Sequence, residues 1–454
     1  MCANREKTHF LGKKRIRLSK KITTFADNKK KMKILIVNTS DNQGGAATAA
    51  FRLMEALNNN GHKAKMLVRD KNTSSITVAK AGEQKYSKWH FLYERLSILT
   101  TLRGKKNNLF AIDIANSGID ITKTREFQEA DVIHLHWINQ GMLSLNGIRK
   151  ILESDKPVVW TMHDLWPASS ICHYARGCTG FTKQCGNCPL LPGSSKNDLS
   201  HKVWKRKEAM LENKGIQFVT CSKWLMQTAK QSSLIKDQKI QSIPNPIDTM
   251  IFRPQGKQKA REVFQLPKDK KVILFASQKV SDERKGGKYL LEALEICQRE
   301  KPNFKDECVL AILGAKPENL PEDIQIPAYH LGYISDTQKI VSAYNAADIF
   351  VLPSLEDNLP NTIMEALACG LPCAAFKTGG IPEMIDNGKN GYTAQYKDSQ
   401  DLAKGIITLL YSDNYKEMSS EAVKKVIKNY SQSAVALKYT EVYNAAIAQK
   451  HYNL

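Results

Sequence analysis

The chain has 454 residues, of which 42% are hydrophobic and 25% charged, a composition that fits a globular protein and excludes a fibrous one. Its length allows two or three domains, and its longest apolar runs, such as 272–276, are too short to cross a bilayer. The formal net charge is +22, and eleven basic against two acidic residues place +9 of it within residues 1–31.

Residues 1–31 form a basic segment without the apolar core of a signal peptide. We interpret it as a disordered arm. It is either a solvated tail, with the true start at Met32 just before the first predicted strand, or a segment that attracts anionic lipid or nucleic acid. Ten cysteines without a secretory signal indicate reduced thiols and a cytoplasmic protein.

The pattern after Met32 predicts a series of parallel strands and helices. A short apolar strand at 33–38 leads into the turn Gly44-Gly45, then a helix over 46–59 and a second strand at 64–69. Further strands are predicted at 131–136, 157–162 and 216–220. We expect a Rossmann-like domain over 32–253.

The alternating pattern restarts at 271, which favours a second doubly wound domain over one large sheet. We place this domain at 254–430, with the join to the first domain in the segment "IPNPIDTMIFRPQGKQKA", and a helix at 431–454 that crosses back to the first domain. Its predicted strands are 272–276, 309–313, 348–352 and 373–376. Its predicted helices are 287–299, 337–346, 360–369 and 400–411.

The stretch "LPSLEDNLPNTIMEALACGLP" follows a predicted strand and enters a helix at Pro360. Because helix N-termini at the carboxyl ends of parallel strands bind anions, this point suits a diphosphate. Glu356, Asp357 and Glu365 would then bind sugar hydroxyls. The alternative is that the acids only complement the helix dipole and that Glu365 lies on the surface.

Two further predicted strands in the first half end in histidine-containing sequences. "DVIHLHW" places His134 and His136 on one face of its strand, and "TMHDLWP" offers His163 and Asp164 after the next one. We expect all four side chains to face a cleft. The alternative is that the first two are ordinary half-buried histidines.

Four cysteines cluster in "ICHYARGCTGFTKQCGNCP", separated by five, six and two residues. Four thiolates suit a structural zinc site that would fix a polar loop. Free thiols are the main alternative and disulfides a third. No paired-aspartate signature is present, so we expect no cofactor to be required for catalysis. The cysteines are Cys172, Cys178, Cys185 and Cys188.

The acidic stretch resembles the donor-binding motif of family 4 retaining glycosyltransferases, in which a Glu is followed by seven residues and a second Glu. Asp357 and Glu365 have this spacing, whereas Glu356 lies one residue too far. The family usually has Glu first, so either Asp357 or Glu356 takes that role here. "TGGIPEMIDNGKNGY", "SIPNPIDTMIFRP" and "FASQKVSDERKGGKYLLEAL" also resemble family segments, and the likeness runs from Met32 to about Gln449.

The resemblance implies a GT-B fold of two facing Rossmann-like domains, with 32–253 on the acceptor side and 254–430 binding the nucleotide sugar. It also implies a UDP or GDP sugar as donor and retention of configuration. The family's diphosphate-binding Arg and Lys correspond to Lys279 and Lys285, so a Lys replaces the Arg, and Arg284 is near enough to compensate. The implied catalytic residues are His136, Lys285, Asp357 and Glu365. The implied donor-binding residues are Gly45, Lys279, Arg284, Lys285, Glu356, Asp357, Asn361, Glu365 and Gly380. The implied acceptor-side residues are Gly44, His134, His163 and Asp164.

The cysteine loop is similar to loops in bacterial exopolysaccharide and colanic-acid-type transferases. We therefore expect a saccharide or lipid-linked saccharide acceptor in surface polysaccharide synthesis, with peripheral contact to an anionic inner membrane face. Two other functions remain open. One is a nucleotide-sugar epimerase of the same fold. The other is a nucleic-acid-binding protein, suggested by the charge, although no recognition helix is evident and we expect no nucleic-acid partner.

Overall fold

The computed structural model describes residues 31–277, 283–314 and 326–452, with the backbone alone for 84–87 and 451–452. Apart from Lys31, the predicted basic arm at 1–31 lies outside these ranges. Lys279 lies outside them as well.

The first domain is built on a parallel sheet of seven strands in the order β3-β2-β1-β4-β5-β6-β7. Its central strands are apolar runs buried on both faces, which is why helices cover both sides. The strands are β1 (Lys33–Ser40), β2 (Lys63–Asp70), β3 (Val78–Lys80), β4 (Val132–Leu135), β5 (Val158–Met162), β6 (Gln217–Thr220) and β7 (Lys239–Ser242). The helices are α1 (Gly45–Asn59), α2 (Gln84–Thr101), α3 (Arg125–Glu129), α4 (Leu145–Glu153), α5 (Leu199–Leu211) and α6 (Lys223–Ala229).

The second domain is built on a parallel sheet of six strands in the order β10-β9-β8-β11-β12-β13. The strands are β8 (Lys271–Ala276), β9 (Cys308–Leu313), β10 (Ala328–Gly332), β11 (Ile349–Leu352), β12 (Cys373–Phe376) and β13 (Gly391–Ala394). The helices are α7 (Lys257–Val263), α8 (Gly287–Glu300), α9 (Phe304–Glu307), α10 (Thr337–Ala346), α11 (Asn361–Ala368), α12 (Ile381–Met384), α13 (Ser399–Leu410) and α14 (Tyr415–Tyr430). The predicted fold class, two doubly wound domains, is confirmed.

The last helix, α15 (Gln432–Tyr452), returns to the first domain and packs in the core beneath α1. Tyr443 and Tyr439 reach the sheet there: the hydroxyl of Tyr443 lies 2.9 Å from His134 Nδ1, and that of Tyr439 lies 2.9 Å from Thr161 Oγ1. The two chain segments that pass between the domains lie side by side, because Ile247 N donates to Tyr430 O at 2.8 Å.

Both sheets change winding direction at their first strand, with β1 between β2 and β4 and β8 between β9 and β11. Ligands of such sheets bind beyond the carboxyl ends of the strands at this point. In the described ranges, none of the helices combines the length and the apolar character that a bilayer-spanning segment needs.

Candidate functional site

The two domains are in contact where the glycine turn after β1 faces the start of α11. Gly44 has φ of 89°, a left-handed conformation that suits glycine, and it directly precedes α1. Asn361, the first residue of α11, donates from Nδ2 to Gly45 O at 3.0 Å and accepts from Asn245 Nδ2 at 3.0 Å. Pro360 is the residue before the helix rather than its first residue, so the predicted boundary was one position early.

Glu365 lies inside this contact region and is 8% exposed, so the alternative that it is a surface residue is wrong. Its Oε2 accepts a hydrogen bond of 2.8 Å from the Tyr344 hydroxyl. Its Oε1 pairs with Arg52 Nη2 of α1 at 2.7 Å, across the domain boundary. The Arg52 guanidinium lies 4.9 Å from the ring centre of Phe252, and its Nη1 is buried without a hydrogen-bond partner among the described residues.

Lys285 and Asp357 form a second pair on the same edge of the second sheet. Lys285 ends a short 3₁₀ turn, Glu283–Lys285, and its Nζ lies 2.8 Å from Asp357 Oδ2. Gly286 lets the turn that carries Lys285 lie close to Pro353, the residue that follows β11. A Cβ on Gly286 would lie 1.8 Å from Pro353 O. The structure therefore brings one predicted phosphate-binding lysine and one predicted acid together.

Glu356 and Arg284 face the first domain. Arg284 Nη1 lies 3.5 Å from the Tyr174 hydroxyl in the cysteine-containing loop. Burial raises the pKa of Glu356, and the charges of Arg176 and Arg284 oppose that rise. Glu356 thus lies near basic residues of both domains, whereas Asp357 bonds to Lys285. Which of the two acids takes the first acidic position of the motif stays a prediction.

Gly379 and Gly380 lie against the acidic loop. A Cβ on Gly379, whose φ is +55°, would lie 1.7 Å from Asp357 O, and one on Gly380 would lie 2.1 Å from Asn358 O. These glycines therefore allow the turn after β12 to pack against the acidic loop. That Gly380 also contacts a donor stays a prediction.

Asn358 joins the acidic loop to the first domain. Its Nδ2 donates to His163 O at 3.0 Å, and its Oδ1 accepts from the Ser222 hydroxyl. Nearby, the carboxylate of Glu383 accepts from Lys223 N at 2.9 Å and from Trp224 N at 2.8 Å, at the start of α6. These contacts fix the acidic loop against the other wall of the cleft.

Three histidines form a row at the carboxyl ends of β4 and β5, of which His134 and His136 are buried and His163 is half-buried. His136 Nδ1 lies 2.9 Å from His163 Nε2, and the rings of His134 and His136 are centred 4.2 Å apart. Burial lowers the pKa of His134 to about 3 and of His163 to about 4, and it lowers that of His136 as well. The alternative that His134 and His136 are half-buried is wrong, because they are 0% and 4% exposed.

The ring nitrogens of these histidines differ in whether they already have a hydrogen-bond partner. His134 uses both ring nitrogens, toward the Tyr443 hydroxyl at 2.9 Å and Thr161 Oγ1 at 2.8 Å. Its predicted acceptor-side role is untested, and the structure assigns its ring to internal bonds. His136 Nε2, in contrast, is buried without a hydrogen-bond partner in the described parts of the chain. It is the nitrogen of the row that remains available to a ligand.

Asp164 organises the wall beside the histidines. Its Oδ2 accepts from Trp137 Nε1 at 2.9 Å and pairs with His173 Nδ1 at 2.8 Å. Burial alone would lower the pKa of His173, but the adjacent Asp164 carboxylate outweighs it and raises that pKa. Asp164 thus anchors the start of the cysteine-containing loop, and a direct contact with an acceptor stays a prediction.

The four clustered cysteines line one small cavity of about 30 Å³, together with Phe181 and neighbouring backbone. All four are free thiols. Burial raises the pKa of Cys172, of Cys185 to about 12 and of Cys188 to about 11, so these thiols are protonated as they stand. No group of three or more His, Cys, Asp or Glu side chains in the described ranges is already arranged to hold a metal ion.

Two family sequence models match most of this chain. The model described as Glycosyltransferase Family 4 matches residues 43–250, and that described as Glycosyl transferases group 1 matches residues 270–412. These are the two domains that form the cleft. This chain belongs to the family 4 glycosyltransferases.

One relative of this glycosyltransferase is the D-inositol 3-phosphate glycosyltransferase of Thermobispora bispora, which is 29% identical over 224 residues. The match covers 46% of this chain and 51% of the relative, so the chain matches about half the length of that protein. Solved structures show the same fold. Sucrose-phosphate synthase from Thermosynechococcus elongatus has a TM-score of 0.63 at 17% identity and covers 92% of this chain and all of its own.

A second similar structure is Anabaena HepE, solved in complex with UDP, with a TM-score of 0.59 at 15% identity over 91% of this chain and 100% of its own. These likenesses confirm a GT-B fold for the family 4 glycosyltransferase described here.

Sequence reasoning missed several residues of the glycosyltransferase cleft. Arg52 is a single basic residue on an amphipathic helix, and nothing in the sequence distinguishes it from an ordinary surface arginine. Asn358 and Ser222 belong to different domains, so their contact depends on how the domains pack. These partners become visible only when both domains are in place. The missed residues are Arg52, Tyr174, Arg176, Ser222, Tyr344, Asn358 and Glu383.

Proposed function

We propose that this family 4 glycosyltransferase moves a sugar from a nucleoside diphosphate sugar to a hydroxyl acceptor, with retention of configuration. The observation that carries the proposal is the cluster formed by Lys285, Asp357, the start of α11 and Glu365. It combines a cation, helix N–H groups and carboxylates within one edge of the second sheet. Those groups are complementary to a diphosphate that is linked to ribose and to a sugar.

The leaving group gains negative charge as the bond from sugar to phosphate breaks. Lys285, which lies beside Asp357, and the N–H groups at the start of α11 would stabilise this charge. Glu365 would bind the ribose, and a ribose hydroxyl would have to replace Arg52 or Tyr344 as its partner. Asp357 or Glu356 would orient the donor sugar. Lys279 is a further phosphate ligand by sequence.

His136 would contact the donor sugar from the first domain. A neutral imidazole can accept a hydroxyl hydrogen bond or donate one, and Nε2 of His136 has no partner within the described residues. A buried polar atom without a partner is costly, so a ligand hydroxyl there would be favourable. In the proposed retaining reaction, the acceptor attacks from the face that the diphosphate leaves.

UDP sugars are the donors to test first, because HepE was solved with UDP. We infer a saccharide or lipid-linked saccharide as acceptor, in surface polysaccharide synthesis. The Thermobispora relative is named for D-inositol 3-phosphate, so a soluble polyol is the alternative acceptor.

The test is a thermal-shift screen of UDP and GDP sugars, followed by product analysis with the best donor and a panel of lipid-linked and soluble acceptors. The proposal expects nucleotide release that depends on acceptor and a product with the donor's anomeric configuration. Isomerised nucleotide sugar without an acceptor would indicate an epimerase instead. No stabilisation by any nucleotide sugar would count against the site.

We also propose that the four-cysteine cavity takes up a structural zinc ion. The shared cavity supports this proposal, and ion binding would displace the thiol protons and shift the cysteines to ligand distances. The test is metal analysis of purified protein alongside a Cys185→Ser/Cys188→Ser variant. One zinc per chain, lost in the variant, is expected. Metal-free wild-type protein in which the four clustered cysteines react as free thiols would contradict it.

A further inference from the structure

Helix α2 carries apolar residues on two opposite faces. One face packs into the first domain with Ile98 and with Arg95, which pairs with Asp113 at 3.1 Å. The other face presents Trp89, 70% exposed, and three further large side chains that are each more than half exposed. Their spacing of three and four residues puts them on one stripe. The stripe consists of Trp89, Leu92, Tyr93 and Leu96.

A further exposed aromatic side chain, Phe110, lies beside Arg95 of the packed face and is not part of this stripe. The ring of Phe110 is 59% exposed and lies 5.6 Å from the guanidinium of Arg95, which sits on the same helix. We call the four residues of the stripe the α2 patch. Folded proteins rarely leave so many large apolar side chains exposed together unless the surface binds something. Trp and Tyr beside Leu is the mixture typical of a membrane–water interface.

The charges around the α2 patch identify the kind of partner. Glu94 is buried, and of the described exposed charged residues from 83 to 108 four are basic and one, Glu83 directly before the helix, is acidic. Lys88 lies on the helix, and Arg103, Lys105 and Lys106 follow its end. An apolar stripe with a basic border fits a bilayer that contains anionic lipid, where each basic residue near the surface adds to binding.

The α2 patch is connected to the acceptor side of the cleft. Asp113, the partner of Arg95, also accepts from Gln140 N at 2.8 Å, in the loop that follows His136 and Trp137. In the same loop, a Cβ on Gly141 would lie 2.6 Å from Phe91 N, so helix and loop are in direct contact. A bilayer against the patch would therefore be separated from the acceptor-side loop by the single helix α2.

We propose that the α2 patch docks this glycosyltransferase onto an anionic lipid bilayer. The further step, that docking brings a lipid-linked acceptor to the cleft, rests on the proposed function. The docking itself does not, because it is measured as lipid binding and needs no transfer reaction.

The experiment is co-sedimentation of the full chain with vesicles of phosphatidylcholine, alone or mixed with phosphatidylglycerol. Trp89→Gln/Leu92→Gln/Leu96→Gln should weaken binding to the anionic vesicles by at least about tenfold. Lys105→Gln/Lys106→Gln should weaken it by about tenfold at low salt. Ile427→Gln is the matched control, since Ile427 is 53% exposed on α14 of the other domain, and it should bind like wild type.

Three outcomes would overturn the proposal: unchanged binding of the triple variant, equal binding of wild type to neutral and anionic vesicles, or a lipid-free dimer that the triple variant abolishes. The last would assign the patch to a second copy of the chain. Nucleotide affinity of the triple variant should match wild type. A wild-type protein that binds vesicles but no nucleotide sugar would defeat the proposed function and leave the docking proposal intact.

Discussion

Arg52 of the first domain forms a 2.7 Å ion pair with Glu365 of the second, and the Tyr344 hydroxyl bonds the other carboxylate oxygen at 2.8 Å. The pair is largely buried, with side-chain exposures of 13% and 10%. The carboxylate that the family motif assigns to the donor therefore also joins the two domains. Donor binding and interdomain contact would compete for the same oxygen atoms.

We expect Glu365→Gln and Arg52→Gln each to lower the free energy of unfolding by about 1–3 kcal/mol, because each leaves a buried charged group without its partner. The double variant should cost less than the two single variants together, which denaturant titration of all four proteins measures. Arg149→Gln is the control. Arg149 pairs with Glu153 at 3.9 Å on the surface, so its loss should change stability by under about 0.5 kcal/mol. If the losses of the two single variants simply add in the double variant, Arg52 and Glu365 are not energetically coupled.

Lys285→Met should lower kcat by about 10²–10³-fold, since it removes a cation from the developing charge on the diphosphate. Lys288→Met is the matched control three residues later on α8, where the lysine is 82% exposed and 3.7 Å from Glu292. Steady-state kinetics with the best donor of the screen compares the two. Equal activities would remove Lys285 from the proposed mechanism.

Gly379→Ala should weaken nucleotide affinity by at least about tenfold, because the added Cβ displaces the backbone of Asp357 and with it the acidic loop. Gly388→Ala tests the conformation separately. Gly388 also has a left-handed φ, +76°, but nothing lies within 4 Å of its added Cβ. The Gly388→Ala variant should lose about 1 kcal/mol of its free energy of unfolding and keep its nucleotide affinity. Calorimetric titration of both variants decides whether the packing or the dihedral angle matters.

The histidine row should remain neutral through mildly acidic pH. Burial depresses the pKa of His134 and His163 to about 3 and about 4, against 6.5 in the unfolded chain. Below pH 6.5 the unfolded chain takes up protons that the folded protein does not, so the free energy of unfolding should fall as pH drops from 6.5 toward 4. Nitrogen-15 spectra of the imidazoles, assigned with His→Gln variants, should show no titration of these rings between pH 7 and 5. A midpoint near 6.5 for either ring would contradict the burial.

The two-domain fold could be predicted because its signals are local. The apolar run of β1, the helix after Gly45 and the restart at β8 each follow from periodicity over a few residues. The family resemblance assigned Lys285 and Asp357 to one donor site, and the structure brings them together, although the ion pair between them was not predicted. The role of that pair in donor binding remains a prediction.

The rest of the site depends on contacts that span the domain boundary. Arg52 and Glu365 are 313 residues apart, and neither sequence context specifies the other. His134 shows the limit in another way. The alternation of side chains along β4 predicts that His134 and His136 lie on the same face of the sheet. It does not reveal that the Tyr443 hydroxyl of the last helix bonds to a ring nitrogen of His134. Lys279 stays a sequence prediction, since it lies outside the described residues.

The most direct test of the central claim is calorimetric titration of wild type, Lys285→Met and Glu365→Gln with UDP and GDP, at matched pH and salt. We predict that wild type binds at least one of the two nucleotides and that each variant binds it at least about tenfold more weakly, because each loses a charged contact to the ligand. Equal affinity of all three proteins for that nucleotide, or no binding of either nucleotide by wild type, would contradict the claim that this cleft holds a nucleoside diphosphate.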